Sequence, residues 1–304
     1  MAVSNAEFFD RRATVKVIEQ DIQRVSNGPG LAVTNVANTE ENFASQNVDG
    51  TPGFRIRFNV LKNIEGTPNP STIEIYNLGE KSRNIVQKVN SRIILEAGYG
   101  DQTEVIFRGN IRRSRTEKVG PDYITKIEAA DGLVAYEGAV VNQSFGQPTS
   151  LTDVVKTLTD SLKQTNLNVP QITGIPAKQY QSGIVLSGKT VNILDKILRS
   201  EGVQFTIQDE TVLFLEQGSV LSGQFFVLSV DTGLVGIPKV GDSSLSLTSL
   251  MNPQLKPFSQ VLVRSKFVNG LYRMIRVEHK GDTFEGQFIT QLECDRAEAD
   301  APIG

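Results

Sequence analysis

Leu271-Tyr272-Arg273-Met274-Ile275-Arg276-Val277-Glu278-His279-Lys280, then Gly281-Asp282-Thr283, then Phe284-Glu285-Gly286-Gln287-Phe288-Ile289-Thr290-Gln291-Leu292-Glu293-Cys294 is the stretch that decides the fold. Leu271, Arg273, Ile275, Val277 and His279 alternate with Tyr272, Met274, Arg276, Glu278 and Lys280. Beyond the turn Lys280 to Thr283, Phe284, Gly286, Phe288, Thr290 and Leu292 alternate with Glu285, Gln287, Ile289, Gln291 and Glu293. Period-two alternation on both sides of a Gly-Asp turn predicts an antiparallel hairpin with one apolar face. The hairpin has an echo 165 positions earlier: Tyr123-Ile124-Thr125-Lys126-Ile127-Glu128-Ala129 matches Phe288 to Cys294 in kind at every position. Ile111-Arg112 precedes the first copy much as Ile275-Arg276 precedes the second. Two similar β units in one chain are therefore expected, with Tyr123, Ile127, Phe288 and Leu292 facing their interiors.

Composition sets the bounds. The chain has 304 residues, 39% of them apolar and 21% charged, with no long apolar run. That predicts a soluble globular protein of two or three domains with no membrane span. Met1 to Asp10 lacks a basic region followed by an apolar core, so no secretion signal is expected. A single cysteine, Cys294, excludes an internal disulfide, and no Cys/His pattern for zinc is present. The net charge of −3 argues against a dedicated nucleic-acid binder. The absence of Trp and the 7% aromatic content weaken a carbohydrate-binding reading.

In chain order, Thr14 to Ile18 and Leu31 to Thr34 are short β-prone runs parted by the turn Asn27-Gly28-Pro29-Gly30. Asn35 to Pro52 is polar and aperiodic and reads as a long exposed loop, a candidate assembly contact whose removal from Thr39 to Gly50 should leave the fold intact. Strands are predicted over Phe54 to Val60 and Ser71 to Leu78, then a short helix from Glu80 to Val89 carrying Leu78, Ile85 and Val89 at helical spacing. Arg92 to Gly98, Glu104 to Arg115 and Tyr123 to Ala129 follow as strands. Ser150-Leu151-Thr152-Asp153 resembles a capping box, and Leu151, Val154, Val155, Leu158 and Leu162 share a helical face. Asn166 to Ser187 is irregular. Thr190 is placed to cap a second helix burying Val191, Leu194, Ile197 and Leu198, with Gly202 ending it. Val203 to Ile207 and Thr211 to Leu215 form a hairpin about Gln208-Asp209-Glu210, and the tail Glu298 to Gly304 should fray. The expected fold is mainly β with a small α+β insertion: a tube-like antiparallel β-barrel over 1–142, an α+β middle domain over 143–218 and a second tube-like barrel over 219–304.

No catalytic, cofactor-binding or metal-binding residue emerges. His279 is the only imidazole, so it can neither build a His cluster nor share acid–base work, and on a strand before a turn it reads as structural. Cys294 follows the apolar alternation of its strand as a small core residue. Asp131-Gly132 and Gly281-Asp282 read as turns. Gly98-Tyr99-Gly100-Asp101 lies between strands rather than at a helix start and cradles no phosphate. Arg108, Arg112, Arg113, Arg115 and Lys118 read as a solvated strand face or a subunit contact rather than a nucleic-acid site. Glu285, Gln287, Gln291 and Glu293 are outward alternates suited to an oppositely charged neighbour.

Several blocks together resemble the baseplate hub (tail hub) proteins of contractile-tailed phages. These are Ser71 to Leu78 with the helix after it, Phe107-Arg108-Gly109-Asn110-Ile111, Asp131-Gly132, Thr232 to Pro238, Ser249 to Pro253 and Gly270 to Thr283. Gly79 departs from the pattern where a helix-capping residue is expected. The resemblance implies a non-enzymatic homotrimer, a pseudo-sixfold ring joining the hexameric tail tube to the trimeric central spike, with other baseplate proteins around it. It also implies a virion protein made in the host cytoplasm, without membrane insertion, whose lumen passes the genome without specific binding. The competing class is an all-β cell-wall or carbohydrate-binding module, with the middle unit gripping peptidoglycan; a glycoside-cleaving tail enzyme is a third.

Overall fold

The computed structural model describes residues 10–24, 31–34, 40–47, 50–170, 175–221, 223, 225–242 and 244–296. The expected turn Asn27 to Gly30, the tail 298–304 and parts of the expected loop (35–39, 48–49) lie outside the described residues. Strands β1 (Arg11–Ile18), β2 (Asp21–Arg24), β3 (Leu31–Thr34), β4 (Glu40–Ala44), β5 (Ile56–Asn63) and β6 (Pro70–Tyr76) precede helix α1 (Glu80–Val86). β7 (Arg92–Tyr99), β8 (Gln102–Val119) and β9 (Asp122–Ala130) lead to α2 (Leu133–Gly138). The middle of the chain holds β10 (Val140–Phe145), β11 (Thr149–Ser150), α3 (Leu151–Lys163), β12 (Gln179–Tyr180), β13 (Ile184–Lys189), α4 (Thr190–Ser200), β14 (Val203–Gln208) and β15 (Thr211–Glu216). It closes with β16 (Phe225–Ser229), β17 (Lys239–Val240), β18 (Leu245–Leu250), β19 (Gln260–Arg264), β20 (Asn269–Asp282) and β21 (Phe288–Arg296).

The chain is mainly β, as its alternation predicts. One 13-stranded sheet runs in the order β17-β18-β21-β20-β5-β6-β9-β8-β7-β1-β4, with β19 joined to β20 and β16 to β19. Within it the order β5-β6-β9-β8 is repeated as β17-β18-β21-β20, and the two sets of four are joined by the antiparallel pair β5–β20. Alternate residues of these strands turn to one side and bury: Ile56, Phe58 and Val60 on β5, Ile73 and Ile75 on β6, Leu245 and Leu247 on β18. They feed two apolar clusters; the one under β1 and β5 to β9 also takes Met251 and Phe288 from the far end of the chain. A third cluster belongs to the middle segment, where the α3 face (Leu151, Val154, Val155, Leu158, Leu162) meets the α4 face (Val191, Leu194, Leu198). Each such leucine contributes about 1.5–3 kcal/mol on burial.

Several expectations need correction. The polar stretch Asn35 to Pro52 is not one exposed loop: Glu40–Ala44 pairs with β1, and Phe43 is buried against Phe54. A single inward Phe in an otherwise polar strand leaves too little alternation to read. The final hairpin turns at 283–287 rather than at Lys280 to Thr283, because Asp282 Oδ1 accepts the Phe284 and Glu285 N–H groups and sets the bend; Phe284 and Gly286 therefore sit in the turn. The alternation of Leu271, Arg273, Ile275, Val277 and His279 is broken at a β-bulge between Met274 and Arg276, so that Met274 and Val277 are both core residues. Tyr123 is 43% exposed rather than interior, whereas Ile127, Phe288 and Leu292 are buried. α1 ends at Val86 and leaves Val89 exposed, and it starts at Glu80 although Gly79 offers no side-chain cap. Ser150 does cap α3, accepting the Asp153 N–H at 3.0 Å. Thr190 does not cap α4; it lies inside the first turn, bonded to Ser161. Asn166 to Ser187 contains β12 and the start of β13, which pair with β11 and β10.

Candidate assembly surface

The hairpins β8–β9 and β20–β21 are the same construction twice. In the first, Ile111 pairs with Ala129 and Arg113 with Glu128, leaving Arg112 as the extra residue. In the second, Met274 pairs with Cys294 and Arg276 with Glu293, leaving Ile275 extra. The structural counterpart of Ile111 is thus Met274, one residue off the alignment that the sequence suggests. Ile111 N–H donates to Ser91 O (2.9 Å) and its carbonyl accepts from Asn90 N (2.7 Å). Met274 N–H likewise donates to Ser259 O (2.9 Å), and its carbonyl accepts from Phe258 N (2.8 Å). Asn90 (φ 67°) and Phe258 (φ 68°) both hold the left-handed conformation. For a bulky Phe that conformation is rare and persists only where the surroundings over-determine it. Thr125 is bonded to Thr116 at 2.9 Å, and its counterpart Thr290 to His279 Nδ1 at 3.0 Å.

Equal places have unequal cover. The outer half of β20 pairs with β5 from Arg276↔Asn63 to Asp282↔Arg57. The matching half of β8, beyond the bulge, pairs with β9 on one edge and has no strand on the other among the described residues. β17 holds the place of β5 and likewise ends the sheet. Phe288, under Phe58 and Tyr99, is 2% exposed, while its counterpart Tyr123 is 43% exposed beneath the Arg83 and Lys118 cations. Val60 is fully buried, while its counterpart Val240 is 71% exposed. Val119 and Ile237 are also exposed.

Of the basic run, Arg113, Arg115 and Lys118 lie on this free edge, whereas Arg108 pairs with Ile94 on β7, and the run is partly neutralised within the chain. Arg113 donates to both Glu128 oxygens (2.9 and 3.1 Å), which holds that carboxyl below its usual range, and Arg115 pairs with Glu117 at 3.1 Å. Arg108 is half-buried and Arg112 exposed. At the covered junction Asp282 takes Arg55 (2.7 Å) and Arg57 (3.3 Å). Two expected outward groups are engaged by their own chain: Glu285 by Arg55 and Gln291 by Lys280. Gln287 is exposed and Glu293 half-buried.

Sequence reading missed a buried ionic lock behind the junction. The β14–β15 turn places Asp209 (φ 50°) and Glu210 (φ 63°) at its tip. Lys62, 2% exposed, reaches Asp209 at 2.5 Å, Arg92 grips Glu210, and the Asp131 carboxylate accepts the N–H groups of both tip residues. Asp131 therefore does more than turn the chain. Burial, then the neighbouring Asp209 charge, pushes its carboxyl up; burial acts on Asp209 in the same direction, but the Lys62 ammonium outweighs it and holds Asp209 low. His279 is fully buried beside this group, and burial first, then the Lys62 charge, lowers it to about 3. Neutral at ordinary pH, it serves as a hydrogen-bond partner of Thr290. Cys294 is a core residue, and burial raises its thiol to about 12. Among the described residues no three His, Cys, Asp or Glu side chains converge where a metal could sit, and no helix is long and apolar enough to cross a membrane.

Comparison with known proteins places this architecture. Residues 42–294 match the profile of the family Baseplate hub gp41. No curated protein sequence matches the chain. Among solved structures, the 43 kDa tail protein of prophage MuSo2 from Shewanella oneidensis is similar over 93% of this chain and 98% of its own, at 10% identity and a TM-score of 0.59. A tail protein from Neisseria meningitidis MC58 is similar over 94% of this chain and 97% of its own, at 11% identity and 0.59. The E. coli c3393 protein, a component of the type VI secretion system, is similar over 81% of this chain and 74% of its own, at 10% identity and 0.57. At such identities the likeness is one of fold.

Proposed function

Because the chain belongs to the baseplate hub gp41 family of phage tails, and is thus a structural component rather than an enzyme, we propose that it forms the homotrimeric hub of a contractile-tail baseplate. Three copies make a pseudo-sixfold ring that joins the hexameric tail tube to the trimeric central spike and contacts other baseplate proteins. Residues 1–142 and 219–304 act as two tube-like β-barrel domains, and 143–218 as an α+β middle domain. The genome passes through the lumen unread, and the protein is made in the host cytoplasm before joining the virion.

One observation carries the reading: the strand order β5-β6-β9-β8 recurs as β17-β18-β21-β20 with the same bulge in the same register. A chain presenting two like units turns threefold symmetry into near-sixfold symmetry, as a sixfold tube above a threefold spike requires. Mass measurement of the purified assembly tests it, with three chains per ring expected. A ring of six chains, or a single chain bound within tails, would end the reading. A saturable soluble-sugar affinity would instead revive the carbohydrate-binding module.

A further inference from the structure

We infer that the middle unit moves as one body about the β14–β15 turn and closes the cleft between α4 and the β20–β21 hairpin. This motion stands apart from the hub reading, which concerns contacts between copies. The body is built to move whole. Its core joins α3, α4, β14 and β15 and, among the described residues, takes none from the 13-stranded sheet. Ser161 and Thr190 bond its two helices at 2.9 Å. Its attachment to the sheet is graded along β14. At the turn, Asp131 accepts the Asp209 and Glu210 N–H groups at 2.5 and 3.0 Å, while Lys62 and Arg92 hold the two carboxylates. Lys256 stands 4.0 Å from Asp209. Further along one face of the strand, Gln208 Nε2 donates to Asn63 O at 2.6 Å and the Thr206 hydroxyl to Glu65 O at 3.2 Å. Gln204 comes next on that face, and its side-chain carbonyl has no hydrogen-bond partner. The polar fastening thus weakens from the turn outward and ends at the cleft.

The cleft holds about 560 Å³. Its sheet side is the 63–66 loop and the bulge of β20, tied together by the Ile64 N–H donating to Ile275 O at 3.1 Å. Gly66 lets the two sides approach, since a Cβ on it would lie 2.9 Å from Asp195 Oδ1 and 3.2 Å from Phe205 O. Each wall carries one charge of each sign. Asp195 and Arg199 on α4 pair with each other at 2.8 Å. Arg276 and Glu293 stand opposite on β20 and β21, and neither forms an ion pair among the described residues. Closure sets Arg199 against Glu293 and Asp195 against Arg276, which gives both sheet-side charges a partner. Left-handed residues mark the axis: Asp209 (φ 50°) and Glu210 (φ 63°) in the turn, and Gly132 (φ 63°) directly after Asp131, where the chain leaves the sheet for the middle unit. Gly218 (φ 87°) stands near the exit. Hinges are a few such loop or element-terminal positions. Gln204 lies about 17 Å from the turn at the rise of a strand, so a small rotation there is amplified at the cleft. The buried charged clasp is the hardest contact to open and the far end the easiest, so movement begins at the cleft.

The chain contains no Trp, so a single introduced indole is a clean reporter. Ile275→Trp in the full-length protein places it on the sheet side of the cleft, and quenching by acrylamide measures its access to solvent. Should that variant not fold, Gln204→Trp reports from the opposite wall with the same expectations. Arg112→Trp is the open control, because Arg112 is the extra residue of the same bulge in the first unit and is exposed. Closure predicts quenching well below that of the control. Arg199→Glu, added to the reporter variant, sets like charges across the cleft and should raise the open fraction about fivefold; adding Glu293→Arg as well should bring the low quenching back. Hydrogen exchange at the Asp209 and Glu210 amides should stay slow throughout, as at a fixed pivot. Quenching that ignores Arg199→Glu, or that Glu293→Arg fails to restore, overturns the closure. Fast exchange at both amides in the Arg199→Glu variant would mean that the whole hairpin detaches, and would overturn the pivot.

Discussion

At the scale of single residues, the same position in the two units carries different chemistry because only one of them is covered. His279 stands where the first unit has Thr116, and burial has lowered it from an ordinary 6.5 to about 3. Its folded form stays neutral while the unfolded chain takes up a proton, so its stabilising share is full above pH 6.5 and is lost as pH falls towards 3. His279→Thr, keeping a hydroxyl for Thr290, should flatten the stability curve in that window by up to about 1.4 kcal/mol per pH unit. Urea unfolding at stepped pH measures it, and an unchanged slope would show that other groups set the acid limit. Phe288→Ala should cost about 3–5 kcal/mol. Its counterpart Tyr123→Ala should cost under about 1 kcal/mol in the unassembled chain, since Tyr123 is half open to solvent. Denaturant melts of both variants would reverse this ranking if the covers were misjudged.

At the scale of elements, two pieces hold more than their sequences advertise. β4 supplies Phe43 to the main core and pairs with β1. Excising Thr39 to Gly50 should therefore unfold or strongly destabilise the first unit, contrary to the behaviour of a plain loop; a native-like thermal melt of the shortened chain would contradict the role of β4. The β14–β15 hairpin is latched through its turn. Lys62→Ala would leave Asp209 charged and poorly compensated in a buried site, and should cost about 3–5 kcal/mol. Lys62→Met with Asp209→Asn should recover most of that. A single-variant loss within about 0.5 kcal/mol in urea unfolding would show that the latch carries no weight.

At the scale of the whole molecule, the two units share one strand pair and a common cluster that takes in Met251 and Phe288, and the same kind of edge recurs at β8 and β17 with no strand alongside it among the described residues. The ring proposed above would cover the β8 edge, which makes hydrogen exchange diagnostic. The amides of Ser114, Thr116 and Lys118 match those of Val277, His279 and Gly281, which point into the β5 ladder. The first three should exchange quickly in the isolated chain and slowly after assembly, and the second three slowly in both. Slow exchange at Thr116 in a proven monomer would mean that the edge is already occupied within the chain.

The alternation of Thr14 to Ile18, Ser71 to Leu78 and Phe288 to Cys294 was enough to read strands and the likeness of two units, and the spacing of Leu151 to Leu162 and Val191 to Leu198 to read the helical faces of α3 and α4. Those signals are local: a side chain's facing follows from a period of two or 3.6 once one face must leave water. What the tertiary structure alone decided was register and cover. A bulge shifts every later residue by one without any mark in composition, so Ile111 matches Met274 and not Ile275. Whether Tyr123 or Phe288 is buried depends on which strand lies alongside, and the partner of Phe288 is some 230 residues away in sequence at Phe58. The latch at Asp209 and Glu210 is illegible for the same reason, since Lys62 and Asp131, which hold Asp209, and Arg92, which holds Glu210, are ordinary charged residues until the fold brings them together.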